Sequence, residues 1–137
     1  MTRIAVDTSA LMALVYREPD WQAYHDTLLG NDPHLSAGSL VELGRILTVR
    51  FRQAAGEETL EGLLRTYRIR VVAHDETKAR LAIAAAVTFG TGRGAPPAVL
   101  NYGDLFSYAL AEPLDLPLLY KGRDFAATDV RPALAGA

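Results

Sequence analysis

Four acidic residues stand where they could do chemistry together: Asp7, Glu42, Asp104 and Asp124. Asp7 ends the apolar run Ile4-Ala5-Val6, and Asp124 lies four residues past another, Leu116 to Tyr120. Glu42 comes three residues after Ser39, the spacing of a capping box. Asp104 closes the turn Asn101-Tyr102-Gly103-Asp104, which opens a helical pattern. Singly, each has a structural explanation. Asp7 can cap the helix that follows it, Asp104 is favoured at a helix N-terminus by about 0.3–1 kcal/mol, and Asp124 can be a solvated turn residue. Asp129 competes with Asp124 for the same role. Their shared position carries more information, since each lies just after a strand or at the start of the helix that follows one. Carboxylates brought close together raise one another's pKa, and a bound divalent cation reverses that penalty. Oxygen ligands without His or Cys select a hard ion, Mg²⁺ or Mn²⁺. Such an ion lowers the pKa of a bound water and stabilises charge on a phosphate oxygen, so phosphodiester hydrolysis needs no side-chain nucleophile. These residues read as a metal-dependent nuclease.

The elements that must position these acids follow from periodicity. Ile4-Ala5-Val6 has no polar alternation and reads as a strand buried on both faces. Ser9 is the expected cap of a helix through Leu11 and Val15, and Asp20 of a second with Trp21, Tyr24 and Leu28 on one face. His34 to Ala37 reads as a second strand. Ser39 is expected to open a helix carrying Leu40, Leu43, Leu47 and Phe51. Ala54-Ala55-Gly56 reads as a turn before a helix over Glu57 to Tyr67. Val71 to Ala73 reads as a third strand, and Asp75 caps a helix with Ala79, Ala82, Ile83 and Ala86 on one face. Residues 90–97 form a loop, a helix runs from about Asn101 to Ala111, and Leu116 to Tyr120 is the fourth strand. Strands alternating with helices imply a parallel sheet with helices on both sides, whose carboxyl edge is the usual place for a ligand.

Composition bounds the rest. A chain of 137 residues, half hydrophobic and 22% charged, fits one domain spanning 1–137 with a real core. A net charge of −2 means that any nucleic acid is held locally and not by bulk positive potential. The absence of cysteine excludes disulfides and thiolate metal sites. Met1 leads directly into the first strand, no apolar run is long enough for a bilayer, and the expected location is cytoplasmic.

The sequence resembles a PIN domain, and more narrowly the VapC-type toxin ribonucleases of type II toxin–antitoxin pairs. Four stretches carry the likeness: Ile4 to Leu11, Ser39 to Leu43, Asn101 to Ala111, and Leu118 to Phe125. The resemblance implies a three-layer α/β/α sandwich with a central, mostly parallel sheet of four to five strands. It implies a metal-dependent RNA endonuclease with Asp7, Glu42 and Asp104 as core acids and Asp124 as the fourth. Asp7 and Asp104 would bind Mg²⁺ or Mn²⁺ directly, and Glu42 and Asp124 directly or through water. A homodimer, and inhibition by a cognate VapB-type antitoxin, follow from the same likeness. Thr8 and Ser9 are placed to orient the first carboxylate or a metal-bound water.

Other features weigh less. Gly90-Thr91-Gly92-Arg93-Gly94 follows a helix, not a strand, and lacks dinucleotide-loop spacing. His25, His34 and His74 are isolated and form no HExxH pair, which argues against zinc. Arg45 and Arg52, seven apart, are expected on one helix face with Arg50 nearby, where they could contact RNA phosphates. An Mg²⁺-binding receiver-like signalling domain is the rival from another class. It would want paired acids after the first strand, where Val6 precedes the single Asp7. A catalytically inactive protein-binding module of the same fold is disfavoured by four filled acidic positions.

Overall fold

The computed structural model describes residues 1–92 and 99–134. The chain runs β1 (Arg3–Val6), α1 (Thr8–Val15), α2 (Trp21–Leu29), β2 (Asp32–Ser36), α3 (Ala37–Arg50) and α4 (Gln53–Thr66). It continues with β3 (Arg70–Val72), α5 (Glu76–Phe89), α6 (Tyr102–Ala111) and β4 (Leu118–Leu119). The four strands form one sheet in the order β3-β2-β1-β4, and every pairing is parallel. The chain steps outward from β1 to β2 and β3, then crosses back to place β4 on the other side of β1. The order therefore reverses between β1 and β4, and the carboxyl ends of those two strands are where such sheets usually bind a ligand.

Both faces of the sheet are covered, which explains the unbroken apolar runs. Ile4 and Val6 join Leu11, Leu28, Leu35, Leu43, Leu47 and Leu119 in one core, on the side of α1 to α4. Ala5 faces the other way, with Leu118, Tyr120, Tyr108, Leu110 and Phe125 on the side of α5 and α6. Each fully buried leucine contributes about 1.5–3 kcal/mol relative to exposure, so the two cores dominate the stabilisation of this three-layer arrangement. Beyond β4, Leu118 donates its N–H to Arg131 and accepts from Ala133, so the C-terminal segment covers that edge.

Several local expectations are corrected. Asp7, not Ser9, caps α1. β2 begins at Asp32 and takes Pro33 into the strand, and Ser36 then caps α3, which makes Glu42 a second-turn residue and not the end of a capping box. Ala54-Ala55-Gly56 is no turn but part of α4, where a Cβ on Gly56 would stand 2.6 Å from the Leu47 carbonyl oxygen of α3. A buried close approach of two helices thus uses the glycine that reads locally as a breaker. On α5, Ala82 and Ala85 are buried while Ile83 is exposed. Arg52 is the N-cap of α4 and lies outside α3, so Arg45 and Arg52 do not share a helix face. Of the expected loop over 90–97, Gly90 pairs with Leu100 as an isolated bridge, while Arg93 to Pro97 lie outside the described residues.

Candidate active site

Asp7 is delivered by the ladder itself: its N–H donates to the Leu119 carbonyl at 2.9 Å, the last rung joining β1 to β4. Its side chain is buried and is held at both oxygens. Oδ2 accepts from the Ser9 N–H at 3.0 Å and the Ser9 hydroxyl at 2.7 Å. Oδ1 accepts from the Ser107 hydroxyl of α6 at 2.6 Å. Ser9 in turn accepts from the Lys121 N–H at 3.0 Å, which ties the loop after β4 to the same carboxylate. Burial pushes the Asp7 pKa up, against these hydrogen bonds, and the Asp124 charge pushes it further.

Asp104 sits at the third position of α6 in a complete capping box. The Asn101 N–H donates to its Oδ2 at 3.0 Å, and its own N–H donates to Asn101 Oδ1 at 3.0 Å. The box fixes the rotamer, and one turn later Ser107 points the same way. Burial raises the Asp104 pKa from 3.8 to about 8, with the charges of Asp7 and Asp124 adding to the effect and Asp124 within hydrogen-bonding range of its carboxyl. Asp129 is engaged elsewhere: it is exposed and accepts from the Tyr108 hydroxyl at 2.8 Å.

Glu42 approaches from α3 and is half-buried. Burial raises its pKa, the Thr8 hydroxyl and the Arg45 charge lower it, and the Asp7 charge raises it. Thr8 Oγ1 is buried and lies close enough to act on Glu42, yet makes no hydrogen bond of good geometry. Gly103 leaves room for the Glu42 carboxylate, which a Cβ there would overlap, and Gly38 leaves room for the Phe106 ring between α3 and α6. Sequence reasoning overlooked Gly103 and Ser107. Only the helical offsets of −1 and +3 from Asp104 could have drawn attention to them.

The Asp124 charge thus reaches both Asp7 and Asp104, the Asp7 charge reaches Asp104 and Glu42, and Thr8 lies beside Glu42. Among the described residues, no three His, Cys, Asp or Glu side chains are already arranged as a coordination shell. Three features nevertheless fit a hard cation. The donors are all oxygens, burial holds two carboxyls above their ordinary pKa, and the Thr8 hydroxyl is unpartnered. The histidines lie apart: His25 bonds Tyr67 at 2.6 Å, His34 pairs with Asp32 at 3.1 Å, and His74 packs edge-on against Phe106.

A parallel sheet sandwiched between helices, with carboxylates pooled at its switch point, defines a class, and the chain belongs to it: the PIN domain family, whose model matches residues 4–131. Within that family the chain is similar to Ribonuclease VapC28 of Mycobacterium tuberculosis, at 44% identity over 130 residues, covering 94% of this chain and 96% of that one. It is 42% identical over 129 residues to Ribonuclease VapC42 of the same species, covering 93% and 97%. Two solved structures share the fold. The VapBC2 structure from Rickettsia felis, bound to a promoter DNA fragment, matches with TM-score 0.74 at 12% identity and covers 96% of each chain. Mycobacterium tuberculosis VapC20, a Sarcin-Ricin loop cleaving toxin, matches at 0.69 with 20% identity, covering 94% of this chain and 99% of that one. Among the described residues, no helix is long and apolar enough to cross a membrane.

Proposed function

We propose that this chain is a metal-dependent endoribonuclease, the toxin of a toxin–antitoxin pair restrained by a VapB-type antitoxin. The observation that supports the reading is that two buried carboxyls, Asp7 after β1 and Asp104 in α6, both feel the Asp124 charge from the segment after β4, and Asp104 feels Asp7 as well. The ribonuclease names of relatives 42–44% identical over nearly the whole chain point the same way. A receiver-like domain has no use for Glu42 beside Gly103 or for Asp104 in its capping box.

Asp7 and Asp104 would hold Mg²⁺ or Mn²⁺ directly, with Glu42 and Asp124 acting directly or through water. When bound, the ion supplies charge neutralisation at the phosphate and a lowered pKa for the attacking water. Glu42, half-buried with the Thr8 hydroxyl beside it, would be placed to take a proton from a water held there. Asp124, beside Asp104, would hold the ion or one of its waters from the side of the segment after β4. Ser9, Ser107 and Asn101 keep the two central carboxylates in place while this occurs. The reading is tested on total RNA with Mg²⁺: the wild type cleaves and EDTA stops it, while Asp7→Asn and Asp104→Asn are folded and inactive. Cleavage by a folded Asp7→Asn protein would refute it.

The same reading includes a homodimer. Val41, Tyr102, Ile83 and Val87 are all more than half exposed. Val41 and Tyr102 line one cavity with Phe106, where Glu42 and Arg45 form its polar rim, and Ile83, Val87 and Tyr102 line another with the same ring, so the exposed apolar residues adjoin one another around Phe106. A second copy would cover them.

A further inference from the structure

We propose that Ser107, backed by Ser39, is a positioning residue that selects which oxygen of Asp7 faces the ion. The proposal rests on the reading of Asp7 as an ion ligand and goes beyond it.

Hydrogen bonding fixes the direction of the chain of hydroxyls. Ser107 has one hydroxyl hydrogen, and it goes to Asp7 Oδ1 at 2.6 Å, because an ionised carboxylate only accepts. The Ser39 hydroxyl, 3.4 Å from Ser107 Oγ, must then be the donor in that contact. Both serines are fully buried, so neither hydroxyl can turn to water instead. A relay Ser39→Ser107→Asp7 therefore crosses from α3 through α6 to the end of β1. On the opposite side Ser9 gives Oδ2 two donors. A carboxylate offers about four lone-pair directions. Three are taken, two on Oδ2 and one on Oδ1, which leaves Oδ1 as the oxygen free for a cation. Ser107 fixes the direction of that remaining lone pair.

Nothing in the packing of α6 calls for a serine at this position. The residues after it, Tyr108, Ala109, Leu110 and Ala111, are all buried and apolar apart from the Tyr108 hydroxyl. A small apolar side chain would fill the space equally well. A buried hydroxyl here is explained by the carboxylate it serves.

The test is Mn²⁺ binding to the full chain by calorimetry, without RNA, for the wild type and Asp7→Asn, Ser107→Ala, Ser107→Thr and Ser39→Ala. Ser107→Ala is expected to bind Mn²⁺ roughly tenfold more weakly, about 1.4 kcal/mol, the lower end of what losing a partner that orients a ligating carboxylate costs. Ser107→Thr, which keeps the hydroxyl, returns to within about threefold of wild type. Ser39→Ala weakens binding by about threefold, since it acts one bond further away. A folded Ser107→Ala protein with wild-type affinity overturns the proposal, as does a Ser107→Thr protein no better than Ser107→Ala. If Ser107→Ala does not fold, Ser39→Ala decides: unchanged affinity overturns the relay and weakened affinity supports it. Failure of the underlying reading looks different. In that case the wild type binds no Mn²⁺, or Asp7→Asn binds it equally well.

Discussion

Asp104→Asn should stabilise the metal-free protein at neutral pH while abolishing its activity. In the native state Asp104 keeps its proton up to about pH 8, whereas in the unfolded chain the group titrates near 3.8. Between those values the native state binds more protons than the unfolded state, so stability falls as pH rises, and the loss is complete above about pH 8. Each pH unit in that window costs at most about 1.4 kcal/mol. From about pH 5 to about pH 7.5 the ceiling is therefore about 3 kcal/mol, and solvent screening of a pocket open at the sheet edge brings the expected loss to about 1.5 kcal/mol. The asparagine amide keeps the acceptor for the Asn101 N–H and offers Asp124 a donor without charge. Urea unfolding in EDTA reads the effect, and with a slope of about 1–3 kcal/mol per molar the wild-type midpoint drops by roughly 0.5–1.5 M over this range. The variant should lose about half as much, Asp7 and Glu42 supplying the rest, and should exceed wild type near pH 7.5. Saturating Mg²⁺ should remove most of the wild-type loss, because the cation compensates the charge. A wild-type stability that is flat or rising over this range, or a variant weaker than wild type at both pH values, would refute the account of a crowded acidic pocket.

Two further outcomes are expected. Gly103→Ala removes only the space for the Glu42 carboxylate, the movable end of a flexible side chain. Stability should stay within about 1 kcal/mol of wild type, since alanine favours the helix, while cleavage falls at least as far as in Glu42→Ala. An active, folded Gly103→Ala protein would show that Glu42 need not sit there. Val41→Asp places a charge in the apolar face around Tyr102 and Phe106 and should convert the dimer to monomer in sedimentation velocity, with metal-free stability per chain little changed. A wild type that is itself monomeric at micromolar concentration would dispose of the proposed pairing.

Much of the fold was readable where one force dominated locally. Ile4 to Val6 could only be a buried strand, and α6 from Tyr102 to Ala111 follows directly from the Asn101 cap and the apolar run behind it. The errors arose where tertiary contact overrode a local signal. Gly56 reads as a turn until another helix lies against it, and Ser39 reads as a cap until Ser36 takes that role and Ser39 turns inward to Ser107. Arg45 and Arg52 share a face only if the helix continues past Arg50, and the chain instead leaves α3 at an extended Phe51.

By itself the sequence determined the kinds of groups available and their distance from each strand end. Oxygen donors without thiols or paired histidines point to a hard cation whatever the detailed path of the chain. Which oxygens meet was decided only by tertiary structure. Residues 7, 42, 104 and 124 are far apart along the chain, and local pattern cannot specify a contact between them. The return of β4 to the far side of β1 and the two bare glycines between α3 and α6 bring them together. Burial at that meeting point then makes the Asp7, Glu42 and Asp104 carboxyls resist ionisation, a property that none of these three has in the sequence alone.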